Sequence, residues 1–343
     1  MNQTWADISD LAFEAALAAY VVALICYAIE LASRRAVNPA EAVSAGRDVA
    51  AGTTTLVRTG PIDPGAIGRV DRAPLAPWGV RFGRAAVVVT VVGAAANVLS
   101  ILARGLAVGR LPLANMYEFV SVICAAATIT WLIVLARTGA RALGVFVMTP
   151  VVILAVVAGT KLYVPAGPVV PALNSYWKWI HVTTVAISSS ILLVSGAASA
   201  LYLLRGRIER HRSGSGQSPA GGGPVATTTS PRSVLSVLPS MVTLDRIAYR
   251  TAIVGFPLFT FAVIAGAMWA EVAWGRYWGW DPKETCSFIT WVFFAAYLHA
   301  RSTAGWRGRR AAWICVLGWA SMIFNLFFIN MVISGLHSYA GLN

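Results

Sequence analysis

The stretch Trp274-Gly275-Arg276-Tyr277-Trp278-Gly279-Trp280-Asp281-Pro282-Lys283-Glu284 lies between two apolar runs, roughly residues 249–271 and 285–301. Each run is close to the length of a bilayer span, so the stretch reads as an aromatic, charged turn between two membrane helices. Outward from it the same pattern recurs, with apolar runs near 11–33, 83–103, 115–136, 142–160, 179–204 and 311–334. The chain is 57% hydrophobic and 12% charged, about half the charged share of a soluble domain. The expected fold class is all-α: a polytopic integral membrane bundle of about eight transmembrane helices, carrying a Trp-rich loop.

Net charge of +13 would suit nucleic acid, but the placement of the cations argues otherwise. With the N-terminus outside, the segments joining spans 1–2, 3–4, 5–6 and 7–8 hold 21 of the 27 basic residues. The opposite side keeps Arg104, Arg110, Lys161, Lys178, Arg276 and Lys283. This is the positive-inside bias, so the charge sets topology and no nucleic-acid partner is expected. Both termini and the loop over 274–284 are then extracytoplasmic. Residues 1–14 carry Asp7, Asp10 and Glu14 without Lys or Arg, unlike a signal n-region, so span 1 is expected to be retained.

A Gly/Ser/Pro/Thr-rich stretch inside 205–247 reads as a flexible cytoplasmic linker. It divides the chain into a membrane half over 1–204 with about five spans and a half over 248–343 with three. Residues 34–82 have mixed composition and room for a short helix at most. Cys26, Cys124, Cys286 and Cys315 stand singly, with no C-x-x-C or C-x-x-C-H, which excludes a thioredoxin-like pair and self-attached c-type haem. Three read as small buried hydrophobes; Cys286, near the outer interface, is open to oxidation.

His181, at the outer end of span 5, and His337, just past span 8, fall on the membrane face of the Trp-rich loop. Imidazole is the usual axial donor to haem iron, and two opposed imidazoles complete a six-coordinate centre. His299 lies 15 residues after Glu284, about 22 Å deeper along its helix; either a buried functional role or snorkelling beside Arg301 fits it. His211 is a solvated linker residue. Asp281-Pro282-Lys283-Glu284 reads as a helix start, with Asp at N-cap, Pro at N1 and Glu at N3. Trp274, Trp278 and Trp280 are dense enough for a flat ligand to stack on. Arg276 and Lys283, the loop's cations, suit carboxylates such as haem propionates, or equally a lipid phosphate.

The W-G-x-x-W-G-W-D string resembles the signature of the haem-handling proteins of cytochrome c biogenesis. Arg110-Leu111-Pro112-Leu113-Ala114-Asn115-Met116-Tyr117-Glu118, Trp179-Ile180-His181, Tyr297-Leu298-His299-Ala300-Arg301 and Gly335-Leu336-His337-Ser338-Tyr339 narrow the resemblance to the CcsA/ResC branch, called CcsB in some bacteria. The resemblance implies that His181 and His337 ligate haem b beside the loop (Trp274, Arg276, Trp278, Trp280, Asp281, Lys283). It implies that His299 belongs to an intramembrane haem site completed by a ResB-type partner. The implied activity is a cytochrome c haem lyase of system II in the bacterial cytoplasmic membrane, joining haem to the C-x-x-C-H cysteines of apocytochrome c. Cys286 departs from the family, where a larger residue is usual. Two other functions fit part of the pattern. A haem exporter or chaperone without ligation would need broken spans near the midplane, and no such pair is present. A bis-His, quinone-linked b-type carrier would pair histidines inside the membrane.

Overall fold

The computed structural model describes residues 2–36, 77–167, 175–214, 238–329 and 333. Within them lie α1 (Gln3–Ala36), α2 (Pro77–Val108), α3 (Met116–Thr138), α4 (Gly144–Lys161), α5 (Tyr176–Gly214), α6 (Met241–Trp274), α7 (Pro282–Ser302) and α8 (Arg309–Phe324). A single 3-10 turn over Arg141–Leu143 leads into α4, and a π turn over Asn325–Ile329 ends α8. No strand occurs among the described residues. The chain is an all-helical multi-pass membrane protein.

Seven of these helices are long and apolar enough to cross a bilayer. The eighth, α7, carries Lys283, Glu284, His299 and Arg301 and is too polar to qualify by composition. Its 21 residues nevertheless span about 31 Å, and it packs on α6 and α8, two helices that do qualify. Short connections at both ends make it the return limb between them.

The expected flexible linker is narrower than 205–247. Helix α5 continues to Gly214 and α6 starts at Met241, while 215–237 lies outside the described residues. Arginine is a good helix former, and Arg205 is tied down on both sides. Its Nε donates to Glu209 Oε1 at 2.8 Å, and its Nη1 donates to the carbonyls of Leu238 and Pro239 at 2.7 and 2.6 Å. Of the mixed segment 34–82, α1 takes the first residues and α2 those from Pro77; 37–76 is outside the described residues.

Helix α5 is the hub, packing on α3, α4, α6 and α8, while α1 and α2 pair along most of their length and rest on α3 and α4. Lipid tails are as apolar as leucine, so helices associate through small residues and interhelical hydrogen bonds. Ser190 Oγ donates to the Ile123 carbonyl on α3 at 3.1 Å, and Ser195 Oγ donates to the Ala248 carbonyl on α6 at 2.8 Å. Asn97 bridges α1 and α3 through Tyr20 Oη and Ser121 Oγ. All four cysteines are buried and free. That corrects the expectation for Cys286: its thiol turns inward to the Ser321 carbonyl at 3.6 Å and is shielded from oxidants.

Candidate functional site

Gly275 ends α6 in the left-handed conformation at φ 69°, donating its N–H to the Glu271 carbonyl at 2.8 Å. Seven residues later α7 begins with the expected capping box: the Asp281 side chain takes the Glu284 N–H, and the Glu284 carboxylate takes the Asp281 N–H at 3.2 Å. Glu284 Oε2 also accepts the Gly279 N–H at 2.8 Å, so one carboxylate closes both the helix start and the loop. The Arg276 guanidinium lies against Gly279, where a Cβ would collide with it.

The three tryptophans do not make one platform. Trp274 turns inward, 5.5 Å from Trp269. Trp278 and Trp280 meet edge to face at 5.8 Å and 87°, and Trp280 contacts Phe288 on the outer face of α7 in the same way. The cause is backbone geometry: Trp280 stands at φ 60°, a conformation costly for a bulky residue, as the chain turns into the Asp281 cap. Its ring is left 66% exposed.

His181 lies in the second turn of α5, half-buried against α6. Its Nδ1 is 2.7 Å from the Ala262 carbonyl. A carbonyl only accepts, so Nδ1 carries the proton and Nε2 keeps the lone pair. The imidazole lies 6.0 Å from the Trp269 ring, placing Trp269 between His181 and Trp274. A cavity of about 620 Å³ opens beside it, walled by His181, Tyr277, Trp278, Lys283, Glu284 and Leu326 at the loop end and by Ser189, Phe259 and Trp319 deeper in the membrane. Thus His181, Trp278 and Lys283 from the expected site meet at one cavity. Trp274, Arg276, Trp280 and Asp281 shape the loop without lining it.

Tyr277, Glu284 and Trp319 were not among the expected ligand-binding residues. Glu284 was legible as a cap, and its second role at the cavity wall follows from where α7 starts. Trp319 sits in an apolar span, with no local pattern to separate it from core. His299 is exposed on α7 and does not line the cavity. His337 lies outside the described residues, and His211 is on the last turn of α5.

The Arg110–Glu118 stretch builds a buried polar network at the same end of the bundle. Glu118 accepts from Arg104 Nε at 3.1 Å, from Arg110 Nη1 at 3.0 Å and from the Ala114 N–H at 2.7 Å. Asp10 pairs with Arg104 at 3.5 Å and accepts from Tyr163 Oη at 2.6 Å. The network fastens α1, α2, α3 and the end of α4. Glu118→Ala would leave the Arg110 guanidinium with no carboxylate and Arg104 with Asp10 alone, so it is expected to cost about 3–5 kcal/mol. A lowered midpoint of thermal unfolding in detergent checks this.

The cytochrome C assembly protein family matches residues 113–337. Two curated relatives described as cytochrome c biogenesis protein CcsA agree. The one from Synechococcus elongatus is 37% identical over 266 residues, covering 69% of this chain and 81% of the relative. The one from Gloeobacter violaceus is 35% identical over 277 residues, covering 70% and 82%. The chain belongs to this family. It is a CcsA-type cytochrome c biogenesis protein. Among solved structures, the cytochrome c haem lyase CcmF superposes with a TM-score of 0.60 at 17% identity, covering 99% of this chain. The chain spans 49% of the length of CcmF, and the likeness is one of fold. The family match starts within the Arg110–Glu118 stretch and ends on His337, enclosing His181, the Trp-rich loop and His299.

Proposed function

We propose that this chain holds haem b beside the Trp-rich loop and, with a ResB-type partner, attaches it to apocytochrome c. The observation that carries this is the setting of His181. A ligating histidine commonly donates its other ring N–H to a carbonyl, which fixes tautomer and orientation, as His181 does to Ala262. The residue also lines a cavity of about 620 Å³, of the size that takes small ligands and cofactors. Lys283 on the cavity wall suits a propionate, and Trp278 and Tyr277 offer aromatic surface.

In this scheme His181 and His337 are the axial ligands, and the loop face and both termini are extracytoplasmic in a bacterial cytoplasmic membrane. The chain divides into a five-span half, a linker and a three-span half. Haem is the substrate. Each cysteine thiol of the C-x-x-C-H segment adds across one vinyl group, forming a C–S bond and passing its hydrogen to the vinyl carbon. The protein's part is to orient the macrocycle and exclude competing contacts; holding reactants in place removes several kcal/mol of barrier, of order 7 or more in well-oriented cases.

The test is covalent haem on an apocytochrome co-expressed with this chain and its partner in a host lacking its own maturation system. Covalent product that requires this chain supports ligation. Bound haem without covalent product would reduce the chain to an exporter or chaperone, and a quinol-reducible haem without product would make it an electron carrier.

The linker is dispensable in this scheme, but not all of it. Arg205 holds the Leu238 and Pro239 carbonyls, so those residues must stay. Gly214 lies nine residues past Arg205, about 14 Å along α5. Deleting 218–232 leaves eight residues outside the two helix-proximal segments, a reach of about 26 Å, enough to close the gap. Cytochrome c maturation is expected within about twofold of wild type, since loop shortening changes closure entropy by little more than 0.6 kcal/mol per halving. Loss of maturation in a stably inserted deletion would show a role for the linker.

A further inference from the structure

Helices α5 and α6 meet along an antiparallel seam. On α5 the positions His181, Val185, Ser188, Leu192 and Ser195 repeat at alternating steps of four and three; on α6, Ala248, Ala252, Gly255, Phe259, Ala262, Gly266 and Trp269 do the same. This is the spacing of two helices packed knobs into holes. Two contacts fix the register. An ideal Cβ on Gly255 would lie 2.8 Å from Leu192 Cδ2, and one on Gly266 would lie 2.7 Å from both Cε1 and Nδ1 of His181. Leu192 follows His181 by eleven residues and Gly255 precedes Gly266 by eleven, about 16 Å on each helix. The two glycines therefore receive two knobs of one seam.

We infer that Gly266 is a positioning residue for His181, setting how far the imidazole enters the seam and hence how the ring stands at the cavity wall. This rests on haem ligation by His181. The imidazole cannot simply rotate away from an added methyl, because Nδ1–H is held by Ala262, one turn from Gly266, at 2.7 Å. Trp269, 3% exposed, closes the other side at 6.0 Å. A Cβ at 266 forces the ring outward, breaking the Ala262 bond or tilting the ligand. Gly255 makes the same kind of contact with a leucine, far from the histidine, and so supplies an internal control.

The experiment compares Gly266→Ala and Gly255→Ala in the full chain co-purified with its partner, by haem absorption and electron paramagnetic resonance spectra and by haem titration. Gly266→Ala should shift the spectrum and weaken haem binding about 10- to 100-fold, the effect of losing an outer partner of a metal ligand. Gly255→Ala should lose thermal stability while keeping the wild-type spectrum. Added imidazole should restore haem equally to His181→Gly and to His181→Gly/Gly266→Ala. A wild-type spectrum and affinity in Gly266→Ala, or equal spectral shifts in both alanine variants, would overturn the assignment. If Gly266→Ala alone fails to insert, recovery of insertion in the double variant with His181→Gly supports it, and failure of that double variant overturns it. Absence of haem from the wild-type complex would sink ligation by His181, yet rescue of insertion by the double variant would still read out the contact.

Discussion

Replacing His181 by alanine is expected to strip the outer haem. Loss of an outer partner of a metal ligand costs 10–100-fold in affinity, and loss of the ligand itself should cost more, so haem per purified complex should fall at least about tenfold. His337→Ala should have an effect of the same kind if the two imidazoles are opposed across one iron. Imidazole added to either variant should partly restore binding, since a free ligand can occupy the space left by the ring. The Ala262 contact sharpens the expectation. Only the Nδ1–H tautomer can donate to that carbonyl, so His181→Gln, which has no ring nitrogen to offer the iron, should behave as alanine does. Wild-type haem content and spectra in both alanine variants would remove this pair from the site.

The loop's helix start was legible because capping is local chemistry. Asp281 and Glu284 stand at fixed offsets and each accepts the other's backbone N–H, while Pro282 brings no N–H that needs a partner. The spans were legible in the same sense, from runs of apolar residues. Their ends were not, since the arginines that close α5 are at once positive-inside markers and good helix formers. The orientation of the tryptophan rings was not legible, because density along the chain does not fix it. The φ 60° backbone at Trp280 goes with a ring left outward, while Trp274 packs on Trp269 of its own helix. The cavity was out of reach for a different reason: Tyr277, Trp319 and Leu326 come from three elements that meet only after the bundle assembles. The eleven-residue spacing that pairs His181 with Gly266 was present in the sequence. It had no meaning until the register of α5 against α6 was known.

His299→Ala is expected to lower haem captured by the two-subunit complex while leaving the outer ligands of this chain in place. His299 lies about 22 Å along α7 from Glu284 and takes no part in the His181 cavity, so it cannot serve the same haem. It stands at the end of an exposed stripe. Phe288, Ile289, Val292 and His299 fall at helical spacing on one exposed face of α7, an apolar stripe ending in an imidazole. Snorkelling is the competing account. Arg301 next to it is folded back, 2.7 Å from Asp245 and 4.7 Å over the Tyr249 ring, so the adjacent cation is anchored to α6 and leaves the stripe clear for a partner helix. With a ligand supplied by the ResB-type subunit, His299→Ala and His299→Gln should both reduce haem in the complex, by about tenfold or more on the scale of lost metal-site contacts. Imidazole, or haem supplied directly to the outer face, should then recover part of the attachment. Snorkelling predicts a small loss of thermal stability with haem unchanged and with Gln as good as His. Haem per complex, measured for both variants, separates the two accounts; unchanged haem in both would remove His299 from haem handling.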